Sequence, residues 1–252
     1  MELDLSSLDA IEIDGSQTGM KTSKNKVDIV FVIDDSASME PVIDGIENNI
    51  NGFIDNLQNS GNRVDFRIGY ELYGNTLFTA CPLSSNVDFF KQQLQADRKL
   101  ETGGGEITLL AVDRAADSDW RDNCHKYIII FTNEPLSTNN EYEKQLTKYD
   151  DLIQKLKDLQ IKIFFLGKDC PDYRRFKEVK HCNYQPIERY ENVNYTTLLD
   201  TIGKSVSQQS GAAVDANGLA LSRVEKGIYM KLFNVGTATE THEKSDSRED
   251  RI

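Results

Sequence analysis

The sequence predicts an α/β domain: a Rossmann-like, open, mostly parallel twisted sheet with one antiparallel edge strand and helices on both faces. Three observations carry this. The runs 27–33 (VDIVFVI), 126–132 (KYIIIFT) and 161–166 (IKIFFL) are nearly unbroken apolar and rich in β-branched residues, as central strands covered on both faces are. The segments between them place apolar residues at helical spacing. Strands that alternate with helices in this way build a parallel sheet with its helices packed above and below.

Taken in order, residues 1–25 are polar with little periodicity and are read as an extension before a domain at 26–210. After the first strand, Ile43, Ile46, Ile50, Phe53 and Leu57 mark a helix over 40–57, with Pro41 tolerated in its first turn. Val64, Phe66, Ile68, Tyr70 and Leu72 alternate with polar or small residues, and Gly74-Asn75 leads into a short apolar run at 77–80, the signature of a strand with a hairpin partner. Helices are expected at 87–96 and from just after Gly103-Gly104-Gly105 through Ala111, Val112 and Ala115. Tyr142, Leu146, Tyr149, Ile153 and Leu156 mark a long amphipathic helix, followed beyond the third core strand by a short helix around 172–180 and a last one from Tyr195 to about Val206. The tail, 211–252, is polar and finally highly charged, although 219–234 holds enough apolar residues for one more element or a docking peptide.

A chain of 252 residues can bury a substantial core without covalent staples. Cys81, Cys124, Cys170 and Cys182 are scattered and form no CxxC pair, so buried free thiols are expected rather than a zinc framework or a disulfide scaffold. His125 and His181 stand beside Cys124 and Cys182, but each pair alone is too few ligands for zinc. Trp120 is expected to be a packing anchor below the sheet. A formal net charge of −12 argues against a nucleic-acid or anionic-membrane surface, since both need clustered Lys and Arg. No stretch approaches a membrane span, and acids stand near the N-terminus where a signal peptide carries basic residues, so the expected setting is cytoplasmic.

In an open α/β sheet, ligands bind beyond the carboxyl ends of the strands. Three segments fall there. Asp34-Asp35-Ser36-Ala37-Ser38 follows the first core strand and offers a carboxylate and two hydroxyls at alternating positions, hard oxygen ligands for a small cation. Its bland alternative is a loop that caps the next helix, a use to which Asp and Ser are well suited. In Thr102-Gly103-Gly104-Gly105-Glu106-Ile107-Thr108 the glycines allow close backbone approach, but the GK[ST] ending of a phosphate-binding loop is missing. Thr132-Asn133-Glu134-Pro135 follows the second core strand and brings further oxygens to the same crevice. Asp34-Asp35-Ser36 is also similar to the strand-end aspartates of phosphoryl-transfer enzymes, yet Ser36 occupies the place of their second acid, and the loops supply no base or His.

With these residues in view, the chain resembles a von Willebrand factor A domain. The metal-ion-dependent adhesion site of that family has the pattern D-x-S-x-S, which Asp34, Ser36 and Ser38 match one by one. The stretch 101–135, with TGGGE, AVDRA, DWR and KYIIIFTNEP, further resembles the branch in which TGGGD, DWR and TDAP recur, and the likeness spans about 26–210. It implies a site for Mg²⁺, or Mn²⁺ or Ca²⁺, on Asp34, Ser36 and Ser38, aided by Glu106, Thr108 or Asn133. It further implies that an acidic side chain of a partner protein completes the ion's shell, in a non-enzymatic adaptor or accessory subunit of a larger assembly. Two positions depart from the pattern. Glu106 stands where the family has a threonine, with Thr108 and Thr102 as nearby substitutes, and Asn133 stands where it has an aspartate. A neutral ligand has become acidic and an acidic one neutral, which keeps a similar total charge around one ion.

Overall fold

The computed structural model describes residues 25–59, 64–74, 78–100, 107–136 and 148–211. Its strands are β1 (Asn25–Asp34), β2 (Val64–Tyr73), β3 (Phe78–Ser84), β4 (Cys124–Thr132), β5 (Lys162–Gly167) and β6 (Cys182–Pro186). They form one sheet in the order β3-β2-β1-β4-β5-β6, in which only the β2–β3 pair is antiparallel. The expected architecture is therefore present. The helices are α1 (Glu40–Asn59), α2 (Val87–Asp97), α3 (Thr108–Ala116), α4 (Tyr149–Asp158), α5 (Pro171–Arg174) and α6 (Tyr195–Gly211).

The apolar run of β1 is explained by burial on both sides. Val27, Ile29, Phe31 and Ile33 point into a core shared with α1 and α6, whereas Val30 and Val32 point into a second core with α3 and α4. Phe31 is the hub of an aromatic cluster, with ring centroids 5.9 Å from Phe53 and 5.8 Å from Phe90. Gly69 interrupts β2 because the ladder to β3 shifts register there, and a Cβ at that position would lie 2.6 Å from the carbonyl oxygen of Cys81.

Several details differ from expectation. The partner of β2 runs over Phe78–Ser84, longer than the 77–80 run. The expected helix at 172–180 is a single turn, α5, continued by a 3-10 turn at Arg175–Glu178. Strand β6 was not expected at all. Its sequence, CNYQP, is half-buried along an edge and ends in proline, so it carries neither an apolar run nor a clean alternation. Tyr142 and Leu146, expected in the long amphipathic helix, lie outside the described residues, as do 1–24, 212–252 and with them the 219–234 element. Of the four free thiols only Cys81 is fully buried, and the other three are half-buried.

The amino-terminal edge of the sheet is closed by a carboxylate clamp. Asp28 on β1 has no exposed surface and accepts from Arg67 on β2, Nε at 3.1 Å and Nη2 at 2.7 Å. It also accepts from the backbone N and Nε of Arg121, both at 2.9 Å. Arg121 continues to the carbonyls of Val27 (3.2 Å) and Asp65 (2.7 Å), tying β1 and β2 to the loop that enters β4. The DWR segment thus has a structural use. Trp120 donates its indole N–H to Ala116 O at 2.9 Å and packs against the second core, as an anchor should.

Candidate metal centre

The order of the strands puts a reversal between β1 and β4: the chain leaves β1 toward β2 on one side and later returns to β4 on the other. The loops beyond two such strands diverge and leave a crevice, the usual ligand position in this architecture. Asp34 is the last residue of β1, and Asn133 follows β4 directly.

Asp34 is fully buried, and its Oδ1 accepts the backbone N–H of Ser36 at 2.8 Å, which folds the loop back on itself. Ser36 precedes a 3-10 turn, Ala37–Met39, but its side chain makes no capping bond to that turn. Instead the hydroxyls of Ser36 and Ser38 lie 3.2 Å apart, and Asn133 donates Nδ2 to Ser38 Oγ at 2.7 Å. The capping alternative therefore fails at Ser36. Asp34, Ser36, Ser38 and Asn133 are brought together, and among the described residues the two buried side-chain polar atoms left without a hydrogen-bond partner are Asp34 Oδ2 and Asn133 Oδ1. Buried acceptors are normally satisfied, so two orphans in one crevice ask for an explanation such as an ion.

Electrostatics point the same way. Burial pushes the Asp34 carboxyl up to about 6; the hydrogen bonds from Ser36 work against this, and the nearby charges of Glu134 and Asp35 add to it. Asp35 is spent on structure: its carboxylate accepts from the backbone N of Lys99 (2.9 Å) and Leu100 (3.3 Å), pinning the loop that runs on toward the triple glycine.

Thr108, at the start of α3, has no exposed surface, and its Oγ1 lies 2.9 Å from Tyr73 OH and 2.8 Å from Tyr173 OH. Tyr173 OH donates to Glu134 O at 3.0 Å. A carbonyl can only accept, so the proton order follows: Tyr73 donates to Thr108, Thr108 to Tyr173, and Tyr173 to the loop that carries Asn133. Thr108 is thus joined to the crevice through Tyr173, and one lone pair of its hydroxyl remains. On the far side of the same loop Tyr190 OH donates to the carbonyls of Thr132 and Leu166. Glu106 and Thr102 lie outside the described residues.

Sequence reasoning missed Tyr73, Tyr173 and Tyr190 as supports of the site. Only Tyr73 carried a signal, as the residue after the last inward-facing position of β2; Tyr173 and Tyr190 come from segments with no pattern. Glu134 was within the segment singled out, and its adjacency to Asn133 was the available clue. His181 has a backbone reason to be where it is, a left-handed turn (φ 68°) leading into β6, and burial pushes the His125 imidazole down to about 4. No group of three or more His, Cys, Asp or Glu that could hold a metal occurs among the described residues, so a cation site here has to draw on hydroxyls and an amide.

A six-stranded, mostly parallel sheet with one antiparallel edge strand and helices around it defines an open α/β domain. The chain belongs to the von Willebrand factor type A domain family: the sequence profile of that domain matches residues 28–204. A search of curated proteins finds no match. Solved structures share the fold. One is the conserved hypothetical protein BatB from Bacteroides thetaiotaomicron, at 15% identity and TM-score 0.53, with 72% of this chain and 98% of that chain covered. Another is the pilus adhesin SpaC from Lactobacillus rhamnosus GG, at 15% identity and TM-score 0.51, covering 73% of this chain but only 31% of the adhesin. At such identities the likeness is one of fold. Domains of this family often mediate protein–protein interaction. No helix among the described residues is long and apolar enough to cross a membrane.

Proposed function

We propose that this domain docks another protein through a divalent cation, Mg²⁺ or in its place Mn²⁺ or Ca²⁺. Asp34, Ser36, Ser38 and Asn133 would hold the ion, with Glu106 and Thr108 as further donors from the third loop. The ion supplies an electrophilic anchor for a carboxylate, and an acidic side chain of the partner is its complement. The observation that carries this reading is the pair of orphaned buried acceptors, Asp34 Oδ2 and Asn133 Oδ1, on either side of the two serine hydroxyls. All four are oxygen donors, the type that Mg²⁺ and Ca²⁺ prefer. The domain is read as a binding module without catalysis, an adaptor or accessory subunit acting in the cytoplasm.

Calorimetric titration of the chelated protein with MgCl₂, MnCl₂ and CaCl₂ tests the site, with Asp34→Ala as the control that loses the signal. Absence of heat with all three ions at millimolar concentration would remove the metal from the proposal. A screen of generic phosphate and ester substrates, with and without Mg²⁺, tests the binding role itself, because turnover lost in Asp34→Ala would make the domain a hydrolase.

A further inference from the structure

Away from the crevice, the end of α3 and the length of α4 leave between them a groove of about 590 Å³, lined by Ala116, Trp120, Leu159, Asp117, Asp151 and Asp158 among others. Its floor is apolar. The indole N–H of Trp120 is already used on Ala116 O, so the ring offers the groove a π face rather than a donor. The rim is acidic. The one cation among its described lining residues, Lys155, is held at 2.8 Å by both Asp113 and Asp117, and Asp151 and Asp158 add two more exposed carboxylates. An aromatic floor under a carboxylate rim suits Arg or Lys side chains set among apolar ones, since a cation gains from both the ring and the acids.

The chain contains a segment of that chemistry. Within 219–234, Arg223, Lys226 and Lys231 face a single acid, Glu225, in a protein whose net charge is −12, and the same stretch carries Leu219, Leu221, Val224, Ile228, Leu232 and Phe233. It can also reach. The last described turn of α6 ends at Gly211, and Gln209 in that turn accepts from Tyr127 OH at 3.2 Å. The same Tyr127 hydroxyl accepts from Lys162 Nζ at 3.2 Å, three residues past the groove residue Leu159. The end of α6 and the mouth of the groove are therefore on the same edge of the sheet. The eight residues from Gly211 to Leu219 span up to roughly 26 Å when extended, enough to cross from one face of a helix-covered sheet to the other.

We propose that the groove between α3 and α4 is the docking site of the chain's own segment 219–234, with its basic residues on the rim acids and its apolar residues over Trp120 and Leu159. Trp120 is the only tryptophan in the chain, so its fluorescence reports on the groove directly. The experiment uses the full-length protein, compared with full-length R223E/K226E/K231E and with that variant carrying Asp151→Lys and Asp158→Lys in addition. Acrylamide quenching and the emission maximum are read at several protein concentrations, with circular dichroism confirming an unchanged fold. The expected result is a red shift and stronger quenching on reversing the tail charges, restored when the rim charges are reversed too. Quenching that ignores the tail reversal overturns the proposal and leaves the groove to a separate basic partner. Protection that fades on dilution also overturns it, because the occupant is then the tail of a second copy.

Discussion

Strand β1 buries one aspartate near its start and one at its end, and the two are treated in opposite ways. Asp28 and Asp34 both have no exposed surface. Burial alone would raise both carboxyl groups, but at Asp28 the hydrogen bonds from Arg67 and Arg121 outweigh it and hold the group below its usual range. At Asp34 burial prevails and the group is raised to about 6, with Glu134 and Asp35 making matters worse. A buried charge is tolerable when paired and costly when not. The amino-terminal edge is thus electrostatically finished, whereas the carboxyl edge keeps a negative charge and two acceptors that find no hydrogen-bond partner among the described residues. That contrast separates a clamp from a site.

The largest expected effect breaks the clamp. Asp28→Ala leaves two guanidinium groups, each with 19% of its side chain exposed, facing one another across β1 without their common anion. A loss of roughly 3–5 kcal/mol is expected, as for removal of one partner of a buried ion pair. Urea denaturation measures it. Asp34→Asn makes the opposing case: in chelated protein at pH 7 it should stabilise, because a buried unpaired carboxylate is replaced by a neutral amide. A destabilisation as large as that of Asp28→Ala would show that the carboxyl edge is balanced after all.

Proton linkage gives the second test. The carboxyl of Asp34 is raised in the folded state, so the folded protein binds the extra proton between its unfolded value, about 4, and about 6. Its stabilising contribution is full below about pH 4 and is lost as the pH rises through about 6, up to about 3 kcal/mol. Asp28 has the opposite sign: its contribution is present above the unfolded value and is lost as the pH falls through its lowered one. In chelated protein, Asp34→Asn should abolish the decline between about pH 4 and 6 and leave in place the acid loss due to Asp28 below about pH 4, both read from thermal melts that extend to either side of that range. Mg²⁺ should flatten the same decline in the parent protein, because an ion favours the ionised form.

Much of this contrast was legible in the sequence, for reasons that can be named. β1, β4 and β5 announced themselves because strands covered on both faces need continuous apolar runs. Asp34, Ser36 and Ser38 were legible because the spacing and the strand before them fix where they sit. β6 was not, since an edge strand of mixed polarity has no pattern to read, and neither was the use of Asp28. A lone acid inside VDIVFVI is a local violation of the apolar run, and only the register that places Arg67 opposite Asp28 shows how it is compensated. The tyrosine chain through Thr108 was equally hidden, because it joins residues separated by 35 and 65 positions.

The smallest expected effect sharpens the contrast at a single atom. Asn133 now donates Nδ2 to Ser38 and leaves Oδ1 without a partner. Asn133→Asp replaces the donor by a second acceptor, so Ser38 has to turn its own proton toward the new carboxylate, which leaves a serine lone pair for an ion. Without metal, the added charge joins Asp34, Asp35 and Glu134 in one crevice and should lower the melting temperature. With Mg²⁺ the same charge attracts the cation more strongly than an amide does, tightening binding on the order of tenfold, about 1.4 kcal/mol. The sign of the mutational effect on melting should therefore reverse between chelator and saturating Mg²⁺. A shift of the same sign in both conditions would place the side chain of residue 133 outside the ion's reach and leave Asp34 and the two serines to hold it.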